Sequence, residues 1–420
     1  MMRLNALLLL ILSFVAPTST KAVTSPNLRA AIVEDQSVIL TERLASPGVL
    51  TTVAGSQGFS EGMKVHGIAA TTAVIGDTNG VAVDGAGNLF ISSDSHQIFK
   101  VTASTGIFTV VAGTGQSGFS GDGALATSAR LNGPQGVKLD SFGNIFVVDL
   151  MNDRIRKITV STGIITTVAG DGSYLSTIDN VPATSTGLSA PHGLAVDTLN
   201  NIYIADSGNS RVRKVTASSG IITTVAGTGT RTSPVLGVTA TSTTLYYPTG
   251  VAIDTVGDIF IADSGSDSIY KVTVGTGLLT LVAGKQFAPG YNGDNIPALT
   301  AKLYGPRDIA LDSIGNIFIA DLYNNRIRKI TASTGIISTV AGAGAISSNF
   351  NASRIVDCQP YDGKNDNGKD ATSALLCQPH GVAVDAAGNV FLCDSGHRVV
   401  RKVTYSAVMP SSAVTPAPAS

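Results

Sequence analysis

The stretch that decides the fold reads Gly136-Val-Lys-Leu-Asp140, Gly143-Asn-Ile-Phe-Val-Val-Asp149, Arg154-Ile-Arg-Lys-Ile-Thr159 and Gly163-Ile-Ile-Thr-Thr-Val-Ala-Gly170. Six imperfect copies of it succeed one another along the 420-residue chain, at a spacing of about 55–58 residues with one longer final unit. The closing phrase is missing after the sixth copy and stands instead ahead of the first, at Gly48–Gly55. A repeat whose last segment comes from the other end of the chain predicts a closed ring.

Each copy predicts four short strands. In the third copy these are Leu194–Asp197, Asn201–Asp206, Arg211–Thr216 and Gly220–Gly227. A short Asp-x-x-Gly-Asn turn joins the first two, which makes them antiparallel neighbours. Four-stranded antiparallel sheets repeated radially form a β-propeller. We therefore predict an all-β, six-bladed propeller over residues 46–405, in which the N-terminal strand completes the last blade and removes an unpaired sheet edge.

The direction of the strands divides the loops between two faces of the ring. The turns between strands one and two, and between strands three and four, lie on one face, which we call the hairpin face. The turns between strands two and three and the long inserts between copies lie on the other, the insert face. Because these inserts run to about 22–24 residues, and about 38 before the sixth copy, they exceed ordinary connections. Loops on a rigid scaffold often carry function, so we expect the site on the insert face.

One residue of each copy is expected at the mouth of the central channel, because strand one lines the axis and this residue stands just before it. All six are polar: Asn79, Gln135, His192, Thr249, Arg307 and His380. His192 and His380 fall in opposite blades, and Arg307 is followed by Asp308 where the other copies have glycine. A polar ring over a channel predicts a ligand-binding site.

The composition argues against a nucleic-acid partner. The formal net charge is −1, charged residues make up 14% of the chain, and tryptophan is absent. Proteins that grip phosphate backbones carry basic stripes and a high pI. Six aspartates are predicted to end strand two in successive copies and so repeat around the ring: Asp94, Asp149, Asp206, Asp263, Asp321 and Asp394. We interpret them as structural turn caps, because a catalytic site breaks such symmetry.

The first 22 residues are interpreted as a cleaved secretory signal peptide. Their apolar core, Ala6–Ala16, is too short to span a bilayer comfortably. The alternative is an uncleaved anchor. No other segment is long and apolar enough to cross a membrane, so we expect a secreted, soluble, extracellular monomer. Residues 406–420, rich in proline, serine and alanine, predict a disordered tail.

The longest insert predicts several covalent features. Oxidising conditions permit a disulfide between Cys358 and Cys377, and Asn351 begins an Asn-Ala-Ser glycosylation motif. Cys393 replaces alanine or valine of other copies and is predicted to be a small buried residue. The stretch 362–370 faintly matches a calcium loop, but Lys364 stands where an oxygen ligand belongs, so we favour a flexible loop tethered by the disulfide.

Residues 46–405 resemble the NHL-repeat family of six-bladed propellers. The resemblance rests on the six G-x-A-x-D, G-N-x-[FY]-I-x-D and R-x-[KR]-[VI] phrases, and on inserts such as Gly115–Gly123. Among NHL-like propellers, peptidylglycine amidating lyase holds zinc with three histidines at such mouth positions. This chain has histidine at two of the six. The resemblance therefore implies one alternative to a site without a cofactor. In that alternative, His192 and His380 hold a zinc or calcium ion.

The sequence supports two functional hypotheses. The leading one is a non-catalytic propeller that binds a protein, peptide or glycan through the insert face, with the insert before blade six as its most distinctive contact. The competing one is an enzyme, either a metal-dependent lyase or a hydrolase of small esters or lactones. In that case His192, Arg307 and His380 would be the residues to test.

Overall fold

The computed structural model describes residues 48–56, 66–174, 178–344 and 366–405. The predicted signal peptide 1–22, the tail 406–420, Asn351 and Cys358 lie outside these described residues, so predictions about them stay predictions. This includes the Cys358–Cys377 pairing, of which only the buried Cys377 is described. The helices within the described ranges are three-residue 3-10 turns, and none could span a membrane.

Six antiparallel sheets form the six blades. Blades one and two comprise β2 (Ile68–Ala69), β3 (Thr78–Val83), β4 (Leu89–Ser93), β5 (Gln97–Val101), β6 (Ile107–Ala112), β7 (Pro134–Leu139), β8 (Ile145–Asp149), β9 (Arg154–Thr159) and β10 (Ile164–Ala169). Blades three and four comprise β11 (Val181–Pro182), β12 (Pro191–Val196), β13 (Ile202–Asp206), β14 (Arg211–Val215), β15 (Ile221–Ala226), β16 (Pro248–Ile253), β17 (Ile259–Asp263), β18 (Ser268–Val272) and β19 (Leu279–Gly284). Blades five and six comprise β20 (Ile296–Pro297), β21 (Pro306–Leu311), β22 (Ile317–Asp321), β23 (Arg326–Thr331), β24 (Ile336–Ala341), β25 (Pro379–Val384), β26 (Val390–Asp394) and β27 (Val399–Thr404), with β1 (Val49–Ala54) added to blade six.

The N-terminal strand closes the ring as predicted. β1 pairs antiparallel with β27, from Val49 opposite Thr404 to Ala54 opposite Val400, so blade six runs β1-β27-β26-β25. Leu50 is fully buried between blades five and six. The inner strands contact one another around the axis, including β25 with β3. The last blade therefore packs against the first.

The described parts of the inserts are held against the blades. In every blade the preceding insert pairs with the outer strand, through β2, β11 and β20 or through single bridges at Leu125, Thr239 and Asp370. Each then forms a 3-10 turn that begins with a buried alanine: Ala70–Thr72, Ala126–Ser128, Ala183–Ser185, Ala240–Ser242, Ala298–Thr300 and Ala371–Ser373. This pairing covers the edge that each outer strand would otherwise expose.

The end of the longest insert holds the N-terminal strand. The backbone N–H of Thr52 donates to the Asn367 side chain at 2.7 Å, and Leu50 exchanges backbone hydrogen bonds with Gly368 and Lys369. Lys369 also lies 3.0 Å from the carboxylate of Asp366. Residues 366–370, the described part of the stretch 362–370, are thus held against β1 rather than being a free loop.

The aspartates at the end of strand two form a buried clamp with arginine. Asp206 accepts a hydrogen bond from the backbone of Ser189 at 2.7 Å and faces Nη1 of Arg213 at 3.5 Å. The other end of Arg213 binds the insert residue Asp179 at 2.8 Å. This clamp therefore ties strand two, strand three and the insert of blade three together. Arg156, Arg328 and Arg401 occupy the same position in blades two, five and six.

Blades one and four build this region with aromatic residues instead. In blade one, Phe99 takes the arginine position and packs on Phe108, with ring centroids 4.6 Å apart. Strand β4 ends at Ser93, so the prediction that Asp94 ends strand two was wrong by one residue. In blade four, Tyr270 contacts Ser266, which donates to Asp263.

A hydrogen bond joins each blade to the next on the insert face. In each blade, one residue of the turn between strands two and three has a positive φ, between 51° and 61°. Its side chain forms a hydrogen bond with the segment that leads into the next blade. These residues are His96, Asp153, Ser210, Asp267, Asn325 and Arg398. Glycine would adopt this backbone at lower cost but has no side chain to make the contact. The sixth bond, from Arg398 to Asp77 at 2.8 Å, closes the ring.

The hydrophobic core is divided into six apolar clusters, one at each interface between adjacent blades. Cys393 is fully buried in the cluster between blades six and one, as predicted for a small core residue, and burial raises the pKa of its thiol to about 12. Because blade six contributes to a cluster on each side, the core has no terminal blade.

Candidate functional site

All seven residues predicted for the channel mouth line one cavity. Asn79, Gln135, His192, Thr249, Arg307, Asp308 and His380 surround a space of about 20 Å³. Six of them are not outside strand one, as the sequence suggested, but are its second residue. Strand one of each blade begins one residue before the mouth residue. This first residue is proline in five blades, where it pairs with the residue that ends strand two. A cavity of this size holds about one water-sized group.

Hydrogen bonds along the inner strands position several mouth residues. The Asn79 side chain donates to the carbonyl of Pro134 at 3.0 Å, and the Thr249 hydroxyl donates to that of Pro306 at 3.1 Å. His380 Nδ1 lies 3.3 Å from Asn79 Oδ1, which joins blade six to blade one. These contacts link neighbouring blades and fix the mouth before any ligand binds.

Two contacts cross the channel between blades two and five. Nη2 of Arg307 lies 3.5 Å from Oε1 of Gln135. Lower in the channel, the ammonium of Lys138 lies 3.9 Å from the carboxylate of Asp308, which also accepts the backbone N–H of Val382. The replacement of glycine by Asp308, seen in the sequence, thus supplies the partner of a lysine from the opposite blade.

Both mouth histidines are neutral imidazoles. Nδ1 of His192 lies 2.9 Å from the Ala190 carbonyl and 3.0 Å from the Ser207 hydroxyl, and its ring packs edge-on against Tyr247. Burial, followed by the charge of Arg307, lowers the pKa of His192 to about 3. The same two causes lower the pKa of His380 to about 3. The mouth therefore carries no imidazolium at neutral pH.

Acid should destabilise the propeller through these two side chains. Between pH 6.5 and 3 the unfolded chain binds a proton at each histidine while the folded protein does not, so stability falls as the pH falls. Each histidine should contribute a loss of about 1.4 kcal/mol per pH unit. Urea unfolding at pH 6.5 and 4.5 measures the loss, which should be smaller in His192→Asn and His380→Asn. The exposed control His66→Asn should behave like the wild type; equal acid sensitivity in all four proteins would contradict this account.

The mouth does not fit a catalytic metal. Within the described parts of the chain, no group of three His, Cys, Asp or Glu side chains converges on a position where an ion could bind. Catalytic zinc generally takes three protein ligands and a water molecule. His192 and His380 are in addition both close enough to the Arg307 guanidinium for its charge to lower their pKa values, and such a charge also repels a metal cation.

An aromatic cluster beside the mouth was not predicted from the sequence. We use this name for the pair Tyr246 and Phe287, the pair Tyr304 and Tyr323, and Tyr247, which packs against His192. Tyr246 and Phe287 pack edge to face at 5.3 Å between ring centroids, and Tyr304 and Tyr323 pack at 4.9 Å. Tyr246, Phe287 and Tyr323 expose 38%, 41% and 42% of their surface. Tyr247, next to Tyr246 in the sequence, packs against His192 of the polar mouth.

The opposite end of the channel is apolar. An opening of about 240 Å³ on the hairpin face is lined almost entirely by valine, leucine, isoleucine and alanine from the ends of the inner strands, with Lys138 as its charged residue. Phe142, Leu199, Val256 and Ile314 stand at equivalent turn tips around this end and are each at least 70% exposed. The channel thus differs in chemistry between its two faces.

Comparison with known sequences supports the repeat assignment. A family model described as NHL repeat matches residues 188–215 and 376–400, and one described as Teneurin NHL domain matches residues 115–187. The protein SUPPRESSOR OF QUENCHING 1, chloroplastic, of Arabidopsis thaliana is 28% identical over 77% of this chain, and mouse Teneurin-4 is 31% identical over 60%. The chain spans 30% and 10% of the length of these two relatives.

Solved structures share the fold. An auxiliary nutrient binding protein from Bacteroides thetaiotaomicron superposes with a TM-score of 0.60 at 15% identity, over 86% of this chain and 77% of that one. A second protein from this organism, of unknown function, superposes with the same TM-score at 15% identity, over 86% of this chain and 76% of its own. Identity this low compares folds only. The six repeats, the ring closed by β1 and the matched repeat models identify the chain as an NHL-repeat β-propeller.

Proposed function

We propose that this protein is a secreted, non-catalytic binding propeller that recognises a protein, peptide or glycan through its insert face. The aromatic cluster next to the polar mouth carries the proposal. It places three exposed aromatic side chains on one side of the propeller, in blades four and five. Aromatic residues and arginine dominate the energetically important parts of binding interfaces.

The scaffold around this cluster supports recognition without rearrangement. Gly305, next to Tyr304, donates its backbone N–H to Asp267 at 2.9 Å, and Tyr246 and Tyr247 donate theirs to the buried Asp263. The loops that present the rings are thus anchored to blade four. A preorganised surface loses little conformational entropy when a ligand binds.

The mouth itself supports binding better than turnover. Its cavity holds one small group rather than a substrate, and its histidines are neutral and largely buried. A chemical step on an ester, lactone or peptide would need a reacting bond within reach of a nucleophile or base. The mouth can therefore receive one end of a ligand whose remaining part lies over the aromatic cluster.

Removing two exposed rings of the aromatic cluster should weaken binding. We expect the full chain to bind members of a displayed peptide library or a glycan array, and Tyr246→Ala/Tyr323→Ala to weaken those interactions by about thirtyfold, as at interface hot spots. Surface plasmon resonance with individual hits measures the change. Phe142→Ala/Leu199→Ala, which removes two still more exposed apolar side chains from the hairpin face, is the control.

Two outcomes would contradict the proposed function. One is a loss of affinity in the hairpin-face control with none in the cluster variant. The other is stoichiometric zinc or calcium in the purified protein that disappears in His192→Ala/His380→Ala together with hydrolysis or lysis of a test substrate.

A further inference from the structure

The charges that line the channel mouth do not cancel. Lys138 and Arg307 are positive, Asp308 is negative, and both histidines are neutral. Asp308 lies 3.9 Å from Lys138. The guanidinium of Arg307 has the neutral Gln135 amide at 3.5 Å, and no carboxylate of the described residues lies within 4.0 Å of it. The mouth therefore keeps one positive charge without an anionic partner.

This charge is partly shielded from water. Arg307 is of intermediate exposure, and burial lowers the pKa of its guanidinium, while the charge of Asp308 acts in the opposite direction. An unpaired charge in such surroundings is costly, and an anion that forms hydrogen bonds with it recovers the cost. Gln135 supplies one neutral acceptor, whereas a guanidinium has five N–H donors. The geometry leaves donors that can reach into the cavity.

The size of the cavity limits the anion. A cavity of about 20 Å³ favours a small anionic group over a sugar ring. A carboxylate is flat, and guanidinium binds it through two parallel hydrogen bonds. To enter, the carboxylate must stand on a slim, flexible stem. Acidic side chains and the C-terminus of a peptide have such a stem, whereas the carboxylate of an acidic sugar is attached directly to its ring.

The aromatic cluster indicates which groups would adjoin the carboxylate in a ligand. Tyr247 packs against His192 at the rim of the cavity, with ring centroids 5.4 Å apart, and the guanidinium of Arg231 lies 5.4 Å from the Tyr247 ring. A ligand whose carboxylate reaches Arg307 would place its neighbouring groups on this side. Apolar or aromatic groups are those that the cluster would bind.

We propose that the channel mouth is a carboxylate seat, in which Arg307 and Gln135 receive the C-terminal or acidic side-chain carboxylate of a peptide whose adjoining apolar residue lies on the aromatic cluster. This assignment rests on the proposed binding function and names its ligand. The seat itself is tested with acetate, acetamide and chloride added to the full-length protein at constant ionic strength and pH 7.

Acetate should raise the thermal unfolding midpoint, and acetamide and chloride should not, because only acetate combines the charge with the fork geometry. Arg307→Gln should weaken acetate binding by about tenfold or more, and Arg307→Lys by less. Arg231→Gln, outside the cavity, is the matched control. In the wild type, acetate should shift the NMR signals of the His192 and His380 imidazoles, which tests the seat even if Arg307 variants fold poorly.

The class of ligand is tested with 3-phenylpropionate and glucuronate. The first, a carboxylate on a flexible stem next to an aromatic ring, should bind more tightly than acetate in an Arg307-dependent way. Glucuronate binding that equals it would overturn the peptide assignment in favour of an acidic glycan. An equal response to acetate and chloride would show an adventitious ion only and overturn the seat.

The seat and the proposed function can fail separately. If acetate binds through Arg307 but the protein captures no peptide or glycan, the seat is supported and the proposed binding function is rejected. Captured ligands are also tested as C-terminal amides, with glutamine and asparagine in place of their acidic residues, and against Arg307→Gln. If they bind equally well in all three tests, the binding function stands and the seat is rejected. Amidation and the acidic replacements, applied separately, distinguish the two sources of the carboxylate.

Discussion

A protein that lacks residues 46–56 is expected to lose the stability of its entire ring, with a fall of about 5 kcal/mol or more in the free energy of unfolding. The deletion removes the fully buried Leu50 and Ala54 and exposes Val400 and Val403 of β27. Each large apolar side chain that returns to water costs about 1.5–3 kcal/mol. The total is of the order of the stability of a whole domain.

The loss should extend well beyond blade six. Blade six takes part in the apolar clusters with blade five and with blade one, so both interfaces weaken when its outer strand is missing. Thermal unfolding followed by circular dichroism measures the stability, and hydrogen exchange of β14 in blade three reports on the far side of the ring. A variant without residues 407–420 is the control and should unfold like the full chain. Exchange that increases in blade six alone would contradict closure as the source of global stability.

Replacing the clamp arginine of blade three should be nearly as damaging. Arg213→Met keeps the length and the apolar stem of the side chain but leaves Asp206 buried without its cation. Burial already raises the pKa of Asp206 to about 6 with Arg213 in place. Removing one partner of a buried ion pair costs about 3–5 kcal/mol. Urea unfolding of the variant measures the loss.

Two further variants separate the charge from the packing. Arg213→Met/Asp206→Asn removes both charges, while the asparagine oxygen can still accept the Ser189 N–H, so part of the stability should return. Arg211→Ala, two residues earlier on the same strand and partly exposed, should cost less than about 1 kcal/mol. A double variant that is no more stable than Arg213→Met would show that the apolar contacts of the arginine, rather than its charge, support the blade.

Much of the fold could be predicted because the repeat fixes it many times over. The period indicated six blades, the Asp-x-x-Gly-Asn turns indicated antiparallel neighbours, and the displaced phrase at Gly48–Gly55 indicated the closing strand. Strand one was predicted to start too late, because its first residue is proline in five blades and prolines are uncommon in central strands. The short strands of the inserts were missed because two-residue segments such as Ile68–Ala69 leave no periodic pattern.

The candidate site could be predicted only where the copies disagree at one aligned position. His192, Arg307, Asp308 and His380 differ from their counterparts in other copies, and all line the cavity. The aromatic cluster could not be found in this way. Its members occupy different positions within their copies, and Tyr246 meets Phe287 only after the intervening blade has folded. The uncompensated charge of Arg307 likewise depends on which carboxylates the ring brings near it.

The pairing of β1 with β27 also decides how this propeller can be joined to other polypeptides. Gly48 and Tyr405 lie side by side on the hairpin face, since an added Cβ on Gly48 would come within 3.2 Å of the Tyr405 ring. The described propeller is therefore entered and left at adjacent points on its rim. A ring of this kind can be inserted within a longer polypeptide, because both connections are made at one place.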